Sequence, residues 1–306
     1  MAAISGNVRF SSANAIKADF GDIYRAKDPR GYFGVLGGLG YVIPEIAGPA
    51  LLQLADCLIR SKGRPITILD IGCSYGILSA VMRCGLSIDE LRNRYAKLPL
   101  QALSSDGLAC CDAHYFASWA PREDLRFVGL DRSSEAIAYA QRVGLIEEGL
   151  IVDLETNSPS ERARSVISTV DFIVSTGAVG YISENTFARL LQAFPPGKAP
   201  WIASFVLRMF DYGSIAETAR HHGLATERLE GVTFMQRRFR DEMEAEETLR
   251  LLEARGVDPA GKETGGAYHA ELFVSRPPAD VKRAGLSEIV SSASQWMKSN
   301  GEGQPN

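Results

Sequence analysis

One stretch of the chain sets a strand, a tight turn and a helix in direct succession: Ile66-Thr-Ile-Leu-Asp-Ile-Gly-Cys-Ser-Tyr-Gly-Ile-Leu-Ser-Ala-Val-Met-Arg83. It begins with a β-branched apolar run, which is typical of a buried parallel strand. Gly72 and Gly76 then allow the chain to turn, and the apolar residues after Gly76 recur at helical spacing. Because such a turn places backbone N–H groups and a helix N-terminus around a ligand, the stretch predicts a binding site at the carboxyl end of the strand.

The composition is that of a globular α/β protein. With 306 residues, 45% of them hydrophobic, the chain fits one enlarged domain better than two full domains. A net charge of −4 gives no overall attraction to nucleic acid or to anionic membranes. The basic run 236–240 is followed by acidic residues and is interpreted as a solvated, charged helix. No apolar run reaches the length of a membrane span or a signal peptide, so we expect a cytoplasmic protein.

The order of apolar and polar segments predicts the fold class. Further strands are expected at 125–131, 149–155, 170–176 and 201–208, with helices between them. Segments 230–239 and 267–275 alternate and are expected to form a closing antiparallel pair. The prediction is a seven-stranded, mostly parallel, doubly wound sheet with an antiparallel last strand. An N-terminal helical segment (1–60) precedes this domain (61–277), and a partly disordered tail with one helix at 286–297 follows it (278–306).

A long insertion is expected between the first helix and the second strand. Asp131, which ends the second strand, follows Asp70 by 61 residues, whereas about 20 separate such acids in dinucleotide sites. The extra residues, about 84–123, contain a helical pattern. Since loops at the carboxyl ends of the strands carry the site, this insertion is a candidate for determining specificity.

The segment Asp70-Ile-Gly-Cys-Ser-Tyr-Gly76 resembles motif I of the class I S-adenosylmethionine (SAM)-dependent methyltransferases, acid-x-Gly-x-Gly-x-Gly, with Ser74 in place of the middle glycine. The order of elements over residues 66–276 is similar to that superfamily as well. Segments 28–33 and 205–211 look like signatures of a bacterial small-molecule subfamily. The resemblance implies SAM as cofactor and S-adenosylhomocysteine (SAH) as product.

The resemblance also implies a set of cofactor-binding residues. Asp131 would accept the ribose hydroxyls, and Asp153, favoured over Glu155, would meet the adenine amino group. The complete set is Asp70, Gly72, Cys73, Ser74, Gly76, Asp131, Arg132, Asp153, Leu154, Thr176 and Gly177. Other interpretations stay open: an ordinary turn at the glycines, a helix-capping role for Asp131 and a solvated Arg132.

Acceptor contacts are expected at the carboxyl ends of strands four and five and under the N-terminal segment, which would act as a lid. His269 is a candidate general base and Tyr181 a second catalytic candidate. The candidate substrate-binding residues are Tyr32, Tyr181, Arg208, Asp211, His269 and Glu271, with Tyr212 beside them. Alternatively, Arg208 forms a buried ion pair with Asp211, and His269 is structural.

The implied activity is methyl transfer to nitrogen or oxygen of a small molecule such as an amine, an amino-acid-like compound or a phenol. No metal is expected, because the segment 110–114 lacks a second ligand pair, and the five cysteines are expected to be reduced. No nucleic-acid or membrane partner is expected, and a homodimer is an open possibility. Two alternatives are a nicotinamide-dependent oxidoreductase, with Asp89 and Glu90 as ribose acids, and a non-catalytic binding scaffold.

Overall fold

The protein is described by a computed structural model that covers residues 21–290. Its strands form one mixed sheet in the order β3-β2-β1-β4-β5-β8-β6, with β7 also paired to β8. Their bounds are β1 Ile66–Ile71, β2 Leu125–Asp131, β3 Glu148–Ile151, β4 Phe172–Thr176, β5 Trp201–Leu207, β6 Ala225–Arg228, β7 Phe234–Arg238 and β8 Ala267–Arg276.

The sheet confirms the predicted fold class. Strands β1 to β5 pair in parallel, and β8 runs antiparallel to β5, β6 and β7. Two short strands, β6 and β7, share the long β8 where the sequence predicted one strand at 230–239. The basic run 236–240 is therefore not a helix: it contributes to β7, and Gln236 and Arg237 are buried. The order of the strands reverses between β1 and β4, which is where doubly wound sheets bind ligands.

The helices flank this sheet. In chain order they are α1 Gly21–Tyr24, α2 Arg30–Gly38, α3 Ile43–Lys62, α4 Ile77–Cys84, α5 Ile88–Tyr95, α6 Leu98–Gln101, α7 Ser105–Ala117, α8 Ser134–Arg142, α9 Glu161–Ile167, α10 Glu184–Leu191, α11 Gly213–His221, α12 Glu242–Ala254, α13 Pro278–Arg283 and α14 Leu286–Ile289. As predicted, helices α5 to α7 occupy the insertion between α4 and β2. The predicted tail helix extends beyond α14, and its remainder, with the disorder predicted after it, lies outside the described residues.

Two hydrophobic cores organise the molecule. The main core lies on the sheet, and the second joins α2, α4, the insertion and α8. The ring of Phe33 in α2 stacks on Tyr95 in α5 with centroids 4.9 Å apart. Arg30 donates to the carbonyl oxygens of Gln101 and Leu103, each at 2.9 Å, and to Asp28, which also accepts from Ser105 of the insertion. The N-terminal segment and the insertion therefore pack as one body against the motif I helix.

Within residues 21–290, no single helix is long and apolar enough to cross a membrane. Helices α2 and α3, which meet at a bend of 99°, reach that length and apolarity only when taken together.

Candidate functional site

The turn after β1 depends on left-handed backbone conformations. Gly72, Ser74 and Gly76 have φ of +73°, +49° and +80°. A Cβ added to Gly76 would lie 2.9 Å from Cβ of Leu145, so the start of α4 requires glycine there. Ser74 holds its conformation as a non-glycine residue, and its buried Oγ has no hydrogen-bond partner among the described residues. The turn therefore presents a buried hydroxyl group that the protein leaves unsatisfied.

Asp131, at the end of β2, is held against this turn. One carboxylate oxygen accepts the backbone N–H of Ser74 and the other accepts the backbone N–H of Ser133, both at 2.9 Å. The cap of α8 is Ser133, whose hydroxyl accepts from the N–H of Ala136. Asp131 is thus fixed between two turns instead of capping the helix with its own side chain. Because a carboxylate can accept about four hydrogen bonds, this one retains acceptor capacity for two ligand hydroxyl groups.

Asp70 and Cys73 lie in the buried floor of the same turn. Burial, and then the charge of Asp131, raise the pKa of Asp70 well above its ordinary value. Within residues 21–290 no hydrogen bond reaches the carboxyl group of Asp70. Cys73 packs against β2, where a Cβ on Gly129 would lie 2.7 Å from its Sγ, and burial raises the pKa of its thiol. Cys73 is therefore a packing residue beside the turn, as the raised pKa does not favour a reactive thiolate.

The acids after β3 have different surroundings. Glu155 accepts from the backbone N–H of Ser183 at 2.9 Å and from the hydroxyl of Thr186 at 2.8 Å, so it fastens the start of α10. Asp153 instead accepts from the N–H of Glu155 at 3.0 Å and lies 4.0 Å from Nε of Arg132, whose side chain is 81% exposed. Leu154 between them is buried. Of the two carboxylates, that of Glu155 is hydrogen-bonded to the start of a helix and that of Asp153 is not.

The loop after β4 meets the motif I turn. A Cβ on Gly72 would lie 3.4 Å from Cβ of Ala178, so the two loops are in van der Waals contact at the switch point. Thr176 ends β4, and Gly177 follows it with φ of +112°. A Cβ on Gly177 would collide with Nε2 of Gln236 from β7. This edge of the sheet therefore brings together β1, β4 and β7.

Residues 23–42, called the cover below, lie over this edge. At one end the hydroxyl of Tyr75 donates to the carbonyl oxygens of Ile23 and Ala26, at 2.6 and 2.8 Å. The hydroxyl of Ser133 donates to the carbonyl oxygen of Tyr24 at 2.6 Å. At the other end the N–H of Val42 donates to the carbonyl oxygen of Gln236 at 2.9 Å. The cover is thus hydrogen-bonded to both sides of the switch point.

Three tyrosines of the cover lie near the carboxyl groups of Asp70 and Asp131, and the exposed Tyr181 of the β4 loop lies near two of them, Tyr24 and Tyr41. We call Tyr24, Tyr32, Tyr41 and Tyr181 the tyrosine wall. The ring of Tyr32 makes edge-to-face contacts with Tyr24 and Tyr41, with centroids 5.9 and 6.1 Å apart. Burial, then Tyr181 and Asp131, raise the pKa of Tyr24, and burial, then Tyr24 and Asp70, raise that of Tyr41. These hydroxyl groups therefore stay protonated at neutral pH beside the predicted cofactor acids.

His269 lies in a different group of side chains. Its Nδ1 is 3.2 Å from the hydroxyl of Thr233. Burial, then the charges of Arg208 and Lys262, lower the pKa of His269 to about 4. His269 and Glu271 share the face of β8 whose Phe273 stacks on Tyr212, at the start of α11. None of the described contacts of His269 joins it to Asp70, Asp131 or the tyrosine wall.

The other candidate acceptor residues after β5 are engaged elsewhere. Arg208 is buried and pairs with Glu263 at 2.6 Å, so the ion pair expected with Asp211 is wrong. Asp211 has a side chain that is 76% exposed and lies 3.8 Å from Arg255. Glu271 lies 3.5 Å from Arg228. Arg208 is therefore a structural residue, and of the predicted acceptor residues only Tyr32 and Tyr181 lie with the cofactor candidates.

No cluster of three or more His, Cys, Asp or Glu side chains suited to a metal occurs in the described part of the chain. Gln236 lies at this edge of the sheet, beside Gly177, and the sequence did not single it out. It lies in a basic run, and the signal available was the alternation of 230–239, which places residue 236 on the buried face with Phe234.

No protein-family model and no curated protein matches the chain. Solved structures similar to it include 1,6-didemethyltoxoflavin-N1-methyltransferase from Burkholderia thailandensis with bound SAH, 12% identical, covering 90% of this chain and 93% of that one with a TM-score of 0.41. Magnesium protoporphyrin IX methyltransferase from Synechocystis PCC 6803 with bound SAM is 10% identical and covers 90% and 99%, with a TM-score of 0.38. The [4+2]-cyclase SpnF is 15% identical and covers 74% and 80%, with a TM-score of 0.35. At these identities the similarity is one of fold alone.

Proposed function

We propose that this protein is a SAM-dependent methyltransferase that transfers a methyl group to nitrogen or oxygen of a small-molecule acceptor. The observation that carries the proposal is the carboxylate of Asp131, which is fixed to the N–H groups of Ser74 and Ser133 at the switch point of the sheet. A carboxylate in this position is suited to accept the hydroxyl groups of a ribose. The backbone of the left-handed turn beside it and the hydroxyl group of Ser74 would contact the amino-acid end of the same ligand.

The residues present fit this cofactor. The Oγ of Ser74 has no hydrogen-bond partner among the described residues, and the carboxylate of Asp131 can accept further hydrogen bonds. Both groups can therefore bind a ligand. Asp153 would meet the adenine amino group, Leu154 and Cys73 would lie behind the site as buried residues, and Asp70 would face the amino-acid end. SAM, when bound, supplies an activated methyl group on a sulfonium.

The chain's own contribution is alignment and exclusion of water. The tyrosine wall and the cover shield the carboxyl edge of the sheet from water. We infer that they promote methyl transfer by orienting the two reactants, with little contribution from acid–base catalysis. His269, held with Thr233 and Arg208, is placed for structure, so we propose that the acceptor reacts through a lone pair that needs no strong base.

Calorimetric titration with SAM and SAH tests the cofactor, and SAH release from a panel of amines, phenols and nitrogen heterocycles tests the reaction. We expect micromolar binding of both ligands and turnover with at least one panel member. Binding of NADH without binding of SAM would support the oxidoreductase alternative. Asp89 and Glu90 argue against it, because they lie in the first turn of α5, where Glu90 forms a capping box with Ser87.

A further inference from the structure

The side chain of Gln236 is buried and chemically unused. It is 6% exposed, and among the described residues no hydrogen bond reaches its side-chain amide, although its own carbonyl oxygen accepts from Val42. The N–H and C=O groups of this amide are therefore not used by the described part of the protein and can bind a ligand.

The position of this amide points to the acceptor side of the site. Its Nε2 occupies the space beside Gly177, directly after β4, that a side chain at residue 177 would need. The neighbouring Val42 joins Gln236 to the cover, next to Tyr41 of the tyrosine wall. Gln236 therefore lies between the β4 loop and the cover, across the switch point from the acids that would hold the adenosine.

The surroundings of Gln236 restrict the charge and shape of a ligand that its side chain could bind. Arg237, the nearest cation along the chain, is paired with Glu244 at 2.6 Å, and the acids Asp131 and Asp153 lie at the same edge of the sheet. A bound anion at this edge would be repelled by the carboxylate of Asp131. A protonated amine would lack the lone pair that methyl transfer requires. The rings of the tyrosine wall favour flat, aromatic contacts.

We propose, resting on the methyltransferase function above, that Gln236 binds the acceptor, and that the acceptor is an uncharged planar molecule with a hydrogen-bond donor and acceptor side by side on one edge, as in a lactam. The amide of Gln236 offers the complementary pair, one N–H and one C=O. A site with such buried polar groups rejects analogues that lack the matching edge.

The test measures binding of probes to the SAH-loaded protein by calorimetry. The lactams 2-quinolone and 1-isoquinolone are compared with quinoline and isoquinoline, which lack the donor–acceptor edge, and with quinoline-2-carboxylate, which carries a charge. Each probe is titrated into wild type and into the variants Gln236→Leu and Gln236→Glu. Gln192→Leu, at an exposed glutamine after α10, is the matched control.

In wild type the lactams are expected to bind at least about tenfold more tightly than the parent heterocycles and the carboxylate. Both Gln236 variants should weaken lactam binding by roughly 10- to 100-fold and leave the SAH affinity within about twofold. Equal lactam binding by wild type and both variants, no lactam binding at all, or a preference for the carboxylate would overturn the proposal. Failure of wild type to bind SAH would instead overturn the proposed function, before any acceptor probe is added.

Discussion

Replacing Asp131 by asparagine should weaken both the motif I turn and cofactor binding. In wild type the two carboxylate oxygens accept the N–H groups of Ser74 and Ser133, each at 2.9 Å. Asparagine keeps one acceptor but turns an NH₂ group toward the second N–H. A hydrogen bond to a charged group contributes about 1.5–3 kcal/mol, and since Asp131 is half-buried we expect the lower half of that range for the free energy of unfolding.

The loss in ligand affinity is expected to be of similar size. The variant would bind the ribose through one neutral acceptor in place of a carboxylate, and a loss of about 1.5–3 kcal/mol corresponds to a roughly 10- to 150-fold higher Kd for SAH. Calorimetric titration gives the Kd, and urea denaturation gives the free energy of unfolding.

Asp89→Asn is the matched control. It removes a carboxylate whose side chain is 71% exposed, and it should leave both quantities within about 0.5 kcal/mol of wild type. If Asp131→Asn destabilised the fold yet bound SAH with wild-type affinity, Asp131 would serve only the turn, and the assignment of a ribose-binding role would be refuted.

Three further substitutions test other parts of the structure. Gly76→Ala should lower the free energy of unfolding by about 2–4 kcal/mol in urea denaturation, because alanine is strained at φ of +80° and its Cβ would meet Leu145; an unchanged midpoint would contradict this. Arg30→Ala should cost about 1–3 kcal/mol and speed proteolysis near residue 30, since it releases the cover from the insertion, and resistance equal to wild type would argue against that tie. His269→Gln should remove a pH dependence: the folded pKa of about 4 lies below the usual 6.5, so the unfolded state takes up the proton first and wild type loses stability as pH falls from 6.5 to 4. The difference between the two proteins over that range should be about 1–2 kcal/mol after allowance for partial exposure, and identical pH profiles would show that the histidine is not shielded as described.

The parallel sheet was predictable because its signals are local. Strands buried on both faces appear as apolar runs, and the residues of β4 and β5 are almost all buried in the structure. The position of Asp131 at the carboxyl edge was predictable for the same reason, since it comes at the end of such a run. The preference for Asp153 over Glu155 also rested on position in the run, and the hydrogen bonds of Glu155 to the start of α10 give it a physical reason.

The acceptor side was not predictable to the same degree, because it depends on partners far apart in sequence. Arg208 pairs with Glu263, 55 residues away, and not with the nearby Asp211. Gln236 owes its position to Val42 and Gly177, which lie on other elements. Alternating polarity indicated that residue 236 faces inward, but no local pattern showed what it faces.

The second hydrophobic core has a consequence for changing acceptor preference by recombination. Residues of the cover and residues of the insertion pack against one another and against the motif I helix in the same core. A chimera that exchanged only the cover would leave Tyr95 without the Phe33 ring on which it stacks, and would separate Arg30 from its carbonyl acceptors. If the proposed function holds, we expect these two distant segments to set the acceptor range together, so that productive crossovers transfer both.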